Sequence, residues 1–316
     1  LPQFDVFNGD ADGLCALHQL RLAAPAEAVL VTGPKRDIAL LERVDAAAGD
    51  RVTVLDVSLD RNRGALERLL ARGVSVRWFD HHYAGAIRPH PLLEAHIDTA
   101  PEICTSAIVD RYLGARFRAW AVVAAYGDGL ARTADALADS IGLGPGERET
   151  LRSLGEDLNY NAYGDTEADL LVPPAALYRE LVPYASPLRF AAEAAVIAKL
   201  RAGRLADMKN ALAVAPYRPG IYLLPDADWA RRVSGTFAND LAARAPDHAH
   251  AVLVPRPDDG YGVSIRAPRA APTGCAALAR EFATGGGREA AAGIDHLPAD
   301  ALERFIARFR TAFPRA

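Results

Sequence analysis

Asp10 and Asp12 flank a single alanine in "FNGDADGLCA", where an apolar run gives way to a helix-like one. Comparable carboxylates recur further along. Asp56 ends "VTVLDV", Asp80 ends "VSVRWFD" with His81 and His82 directly after it, and Asp128 stands between glycines in "AAYGDGLA". Crowded carboxylates repel one another, so such a cluster must bind cations, take up protons or disperse into solvent. Metal binding is the economical answer. Aspartate oxygens with one or two imidazoles, and no thiolate, suit manganese or magnesium, with zinc or iron admissible. An Asp-x-Asp after a strand can send its carboxylates to two neighbouring ions, which a third carboxylate can bridge at a spacing of roughly 3.5 to 4 Å. Taken singly, each feature has a plainer reading: a turn aspartate between glycines, or a solvated strand end.

The elements that must deliver these groups are legible up to about residue 80. "FDVF", "AVLVTG", "VTVLDV" and "VSVRWF" read as strands, and "GLCALHQLRLA", "IALLERV" and "RGALERLLARG" between them read as helices. That alternation predicts right-handed crossovers and a mainly parallel sheet, whose ligands lie beyond the carboxyl ends of the strands. Asp10, Asp12, Asp56, Asp80, His81 and His82 then share one sheet edge. Residues 104 to 165 read as mostly helical, which makes Asp128 a candidate fourth arm. "GEDLNYNAYGD", 155 to 165, reads either as a loop facing substrate or as a linker.

The 316 residues, half of them hydrophobic, predict two domains: 1–187 carrying the cluster, a connector helix over 188–213, and 214–316. In the last part "VLVPRPDDGYGVSI" reads as a hairpin turning at Asp258–Asp259. "GGGREAAAG" follows, and its glycines, Arg288 and small residues read as a helix opening that could cradle an anion, with Ser264 and Arg266 facing the same pocket. Residues 216 to 316 carry 13 arginines and no lysine against 11 acids, whereas the whole chain has a net charge of −4. Bulk charge therefore gives no reason to expect a coat on duplex DNA or an anionic membrane. With no apolar run of membrane-spanning length, the expected location is the cytoplasm. Cys15, Cys104 and Cys275 are widely spaced and read as buried small hydrophobes.

Asp-His-His at 80–82, combined in order with "NGDADG" and Gly-Gly-Gly-x-x-x-Ala-Ala-Gly, resembles the DHH phosphoesterase superfamily with a DHH-associated C-terminal domain of the first type. Its nanoRNase, cyclic-dinucleotide phosphodiesterase and RecJ-like members form the nearest branch. The resemblance implies an α/β fold with an N-terminal parallel-sheet domain and a smaller α/β C-terminal domain, the active site lying in the cleft between them. It implies two divalent ions, manganese first and magnesium second, held by Asp10, Asp12, Asp56, His81 and Asp128, with Asp56 bridging both. Asp80 would support the site, and His82 would meet the phosphate or leaving group. Gly285, Gly286, Gly287 and Arg266 would grip the substrate, joined by Ser264 and Arg288.

Three positions depart from the family pattern. Val6 stands where many members place a histidine and Asn8 where exonuclease-like members place an aspartate, so the Asn8 carboxamide or a water could serve as a ligand. Arg288 stands where the glycine motif usually continues with histidine, and a guanidinium there would be a fixed positive clamp. The resulting expectation is a metal-dependent phosphodiesterase acting on short single-stranded oligonucleotides or nucleotide bisphosphates. Cyclic dinucleotide hydrolysis and single-strand exonuclease activity are the alternatives of like chemistry. A nucleotide-binding sensor without turnover is the alternative of another class.

Overall fold

A computed structural model describes residues 2–314. Among them the chain forms two compact units, meeting in sequence at Ala202 and Gly203.

The first unit is built on a five-stranded, wholly parallel sheet in the order β2-β1-β3-β4-β5. Its strands and first helices are β1 (Gln3–Asn8), α1 (Ala11–Ala23), β2 (Val29–Gly33), β3 (Arg51–Leu55), α2 (Leu59–Ala71), β4 (Ser75–Asp80) and β5 (Leu93–Ile97). Helical elements follow as α3 (Thr105–Tyr112), α4 (Arg118–Gly127), α5 (Ala131–Ser140), α6 (Pro145–Ala162), α7 (Pro174–Leu181) and α8 (Pro187–Glu193), and α9 (Ala195–Leu212) runs in sequence across the boundary between the units. Neighbouring residues of β1 serve opposite faces. Val6 packs with Val54, Leu66 and Trp78 on the α2 side, and Phe7 packs with Leu14, Leu55, Phe79 and Trp120 on the other. Burial on both faces is what a parallel sheet needs, and it explains why adjacent positions toward the strand ends are apolar, as at Val6–Phe7, Val54–Leu55 and Trp78–Phe79.

The register lines up the carboxyl ends. Asn8 pairs with Gly33, Phe7 with Leu55, Leu55 with Phe79, and Asp80 with Ile97. The segments after β1, β2, β3, β4 and β5 therefore leave the sheet along one edge. Two expectations fail in this unit. "IALLERV" forms only a 3-10 turn at Leu40–Arg43, enough to bury Leu40 and Leu41. The segment 188–213 is interrupted at Ala194, whose extended backbone (ψ 116°) separates α8 from α9.

The second unit has a mixed sheet in the order β6-β7-β8-β10-β9, comprising β6 (Ile221–Leu223), β7 (His250–Arg256), β8 (Gly260–Arg266), β9 (Gly285–Gly287) and β10 (Ala291–Pro298). Helices α10 (Asp228–Arg244), α11 (Cys275–Arg280) and α12 (Leu302–Ala312) complete it. Its core joins Ile221, Leu253, Ile265, Leu278, Ile294, Phe305 and Phe309. The hairpin expected at Asp258–Asp259 is present, with Asp259 in the left-handed region at φ 56°.

"GGGREAAAG" is not a helix opening but a strand, a turn and a second strand. Alanine has the highest helix propensity, but strand pairing overrides it here: Ala291–Pro298 pairs with β8 on one side while Ala292–Ile294 pairs with β9 on the other. Gly285 makes the packing possible, because a Cβ there would lie 1.7 Å from the Ala279 carbonyl oxygen. The three cysteines are buried and free, as expected.

Candidate metal centre

Asp10 caps α1. Its backbone is extended, and its Oδ1 accepts from the N–H groups of Asp12 and Gly13, both at 3.0 Å. Gly13 is required at this turn, since a Cβ would fall 2.1 Å from the Asn8 carbonyl oxygen. Asp12, one helical residue in, projects toward the start of α3. There its two oxygens accept from the N–H groups of Thr105 and Ser106, both at 2.7 Å. A helix N-terminus thus orients the second carboxylate from 93 positions away.

Asp56 follows β3 with φ 57°, a left-handed conformation uncommon outside glycine, asparagine and aspartate. Its N–H is tied to the Phe79 carbonyl at 3.0 Å, and Thr105 Oγ1 donates to its Oδ1 at 3.2 Å. Backbone strain at this point turns the carboxylate across the sheet edge toward His81. Nδ1 of His81 meets the Ile103 carbonyl at 2.8 Å, so that nitrogen carries a proton. Nε2 faces Asp56 Oδ1 at 3.4 Å and Asp128 Oδ2 at 3.8 Å. Asp80 is fully buried. One of its oxygens accepts from the His81 N–H at 2.9 Å and meets His82 Nδ1 at 2.7 Å. His82 is therefore an exposed imidazole steered by a buried carboxylate.

Donor atoms of Asp12, His81 and Asp128 converge within 4.8 Å of one another, as do those of Asp56, His81 and His82. Carboxylates and an imidazole whose remote nitrogen is tied to a carbonyl form a donor set that fits a divalent cation. Asn8 lies at the rim. Its Oδ1 accepts from the Asp10 N–H at 3.3 Å and its Nδ2 reaches the Lys35 carbonyl at 3.5 Å, so its amide supports the loop.

The electrostatics divide the acids. Burial, followed by the charges of Asp56 and Asp128, pushes the Asp12 carboxyl well above its ordinary range. Burial and then Asp10 do the same to Asp56. At Asp10 burial pushes in the same direction, but Lys35 outweighs it and the carboxyl falls below its ordinary range. His81 is pushed up to about 10, because Asp56, Asp12 and Asp128 together outweigh the burial of the ring.

Lys35 is the side chain that the sequence reading passes over. It stands in "GPKRD" just beyond β2, at the same sheet edge, and its Nζ lies 2.5 Å from Asp10 and 3.2 Å from Asp128. A basic residue two positions past a strand at the ligand edge is the signal that could have found it. "GEDLNYNAYGD" proves to be the end of α6 and the residues after it. Ala162 accepts from the Lys35 N–H at 2.9 Å, and the Tyr163 ring centre is 5.9 Å from the ammonium, so this segment borders the site.

In the second unit, Ser264, Gly293 and Gly286 lie in one row across β8, β10 and β9. Arg266 is two residues from Ser264 on β8, and its Nε donates to Asn239 at 2.6 Å. Arg288 is exposed on the turn between β9 and β10.

No protein-family model matches the chain. No curated protein matches it by sequence either. Solved structures do share its fold. Exonuclease RecJ bound to manganese aligns over 99% of this chain and 90% of its own, with TM-score 0.61 and 18% identity. RecJ from Thermus thermophilus in complex with Mn2+ aligns over 98% of this chain, with TM-score 0.56 and 18% identity, and the chain spans about half its length (51%). The pGpG-specific phosphodiesterase PggH from Vibrio cholerae aligns over 99% of both chains, with TM-score 0.54 and 12% identity. Over the aligned lengths the α/β fold of these structures is the fold of this chain. Among the described residues no helix is long and apolar enough to cross a membrane.

Proposed function

We propose that the protein is a divalent-metal-dependent phosphodiesterase of the DHH superfamily, acting on short single-stranded oligonucleotides or nucleotide bisphosphates. One observation carries the reading: Nε2 of His81, its ring oriented by the Ile103 carbonyl, faces the oxygens of Asp56 and Asp128 beside the buried Asp12. Likeness in fold to manganese-bound RecJ and to a phosphodiesterase specific for pGpG supports the same class of chemistry and favours manganese. The proposed ligand set is Asp10, Asp12, Asp56, His81 and Asp128, with Asp56 able to serve more than one ion.

Bound divalent ions would supply Lewis acidity, activating a water and neutralising charge on the phosphoryl oxygens. The chain's own residues supply the rest. Asp56 and His81 fix the cluster at the end of the sheet, and Asp12 is pinned by α3. Asp80 holds a proton at Nδ1 of His82, which leaves Nε2 of that exposed ring to exchange a proton with the leaving oxygen. In the second unit Ser264, Arg266, the glycines 285 to 287 and Arg288 are the proposed phosphate-binding groups.

The decisive assay is manganese-dependent release of mononucleotide from a 5′-phosphorylated RNA dinucleotide, run beside a long single strand and beside Asp56→Asn. Cleavage of the dinucleotide in preference to the long strand, abolished in Asp56→Asn, is the expected result. Equal or faster cleavage of the long strand would make the protein an exonuclease. Metal binding without turnover on dinucleotide, bisphosphate or cyclic dinucleotide would make it a sensor.

A further inference from the structure

The carboxylate cluster already holds a cation that belongs to the chain. Nζ of Lys35 lies 2.5 Å from Oδ2 of Asp10 and 3.2 Å from Oδ1 of Asp128. Its loop is anchored on both sides, by the Lys35 N–H on the Ala162 carbonyl and by Asn8 Nδ2 on the Lys35 carbonyl. Oδ1 of Asp10 is committed to the N–H groups of Asp12 and Gly13. The oxygen that Asp10 has left for a cation is therefore the one Lys35 takes. Asp128 is divided between two partners, with Oδ1 toward Lys35 and Oδ2 toward His81 Nε2.

We infer that Lys35 is a resident counter-cation occupying one of the two cation places of this cluster. On the metal-dependent reading above, which this inference deepens, Asp12, His81 and Asp128, whose donor atoms converge within 4.8 Å, take up one divalent ion unaided. A second ion gains Asp10 only when the ammonium leaves it. An ammonium and a divalent ion on the same carboxylate oxygen repel each other at contact distance, and the partly buried site screens that repulsion less than water would. Lys35 is thus a positioning residue that sets metal stoichiometry.

The test counts Mn2+ bound per chain by isothermal titration calorimetry and electron paramagnetic resonance, on metal-free wild type, Lys35→Met and Lys35→Arg. Wild type should take one ion tightly and give an uncoupled signal. Lys35→Met should take a second ion, bound roughly tenfold or more tighter than any second ion in wild type, with a spin-coupled signal. Lys35→Arg keeps the charge and should keep the wild-type count. Two ions of similar affinity in wild type would overturn the inference without recourse to any variant, as would a Lys35→Met protein that binds like wild type. No binding in any of the three proteins would instead remove the metal-dependent reading itself, and this inference with it.

Discussion

Nδ1 of His81 and the carbonyl oxygen of Ile103 are 2.8 Å apart, which commits one ring nitrogen to the main chain and turns the other toward three aspartates. In the metal-free chain those aspartates hold the ring up to about 10, so at neutral pH Nε2 also carries a proton. A metal ion requires that proton to leave. Manganese binding should release at least one proton per chain near pH 7.5, from His81 and from the raised Asp12 and Asp56 carboxyls where they still hold theirs, and affinity should rise with pH until about 10. Calorimetry in buffers of different ionisation enthalpy reads the proton directly. A heat independent of buffer would refute the ligand role of His81.

Asp56 predicts an opposite pH dependence for stability without metal. Its carboxyl is raised well above its unfolded value, so between that value, near 3.8, and its folded one the native chain holds a proton that the unfolded chain has lost. Stability from this group is complete at low pH and is lost as pH rises through the folded value. Asp56→Asn keeps an oxygen for Thr105 Oγ1, tolerates φ 57° and removes the titration. Thermal melts in chelator from pH 5 to about 9 should fall less steeply for Asp56→Asn than for wild type, while its manganese-dependent turnover drops by roughly a thousandfold or more.

Asp12 should have two separable effects. Its oxygens accept from two buried N–H groups at the start of α3, so Asp12→Ala should cost about 2 to 3 kcal/mol even in chelator, in addition to weakening metal binding. Asp128 lies at the end of α4 and receives no such backbone bonds among the described residues. Asp128→Ala should therefore weaken metal binding with a much smaller loss in chelator. Urea melts with and without manganese separate the two, and equal chelator melts for both variants would contradict the anchoring role of Thr105 and Ser106.

His82 and Asp80 form a pair whose disruption should be felt in kcat. Removing the imidazole in His82→Ala should slow turnover by roughly 100-fold to 10,000-fold with metal binding intact. Asp80→Asn keeps the shape but replaces the carboxylate that faces His82 Nδ1 with an amide, and should lower kcat by less than His82→Ala, with metal binding intact. An unchanged kcat in Asp80→Asn would show that Asp80 serves only the fold.

Gly285→Ala tests the second unit alone. Its Cβ would meet the Ala279 carbonyl at 1.7 Å, so α11 or β9 must move, at a cost of about 1 to 3 kcal/mol. Manganese affinity should stay at the wild-type value. Limited proteolysis should show new cleavage beyond residue 270.

Strands β1 to β4 are readable from the chain because burial on both faces leaves short, largely apolar runs rich in valine and aromatic residues, each followed closely by aspartate or glycine. β5 is not, since "LEAHI" is a half-polar edge strand whose pairing with β4 comes from the tertiary fold. "GGGREAAAG" misleads for a similar reason: its small residues suit a helix locally, and only strand pairing decides otherwise. The side chains of the candidate centre could be named in advance because each stands at a strand or helix end. Lys35 carries a local signal in its place just past β2, but its approach to Asp10 could not be named, because it spans 25 positions and depends on where β2 lies beside β1. Ile103, Thr105 and Ser106 could not either, since two of their three services come wholly from the main chain.

That last feature bears on how such a chain can change over time. The stretch 103 to 106 steers His81 with a carbonyl and Asp12 with two N–H groups, atoms that nearly every residue type possesses. For these services its letters are free to drift, Thr105 excepted because its hydroxyl also donates to Asp56, while its path is not. A lineage could keep every acidic and imidazole residue and still lose its chemistry through a one-residue deletion here, and a comparison of ligand letters alone would count that descendant as intact.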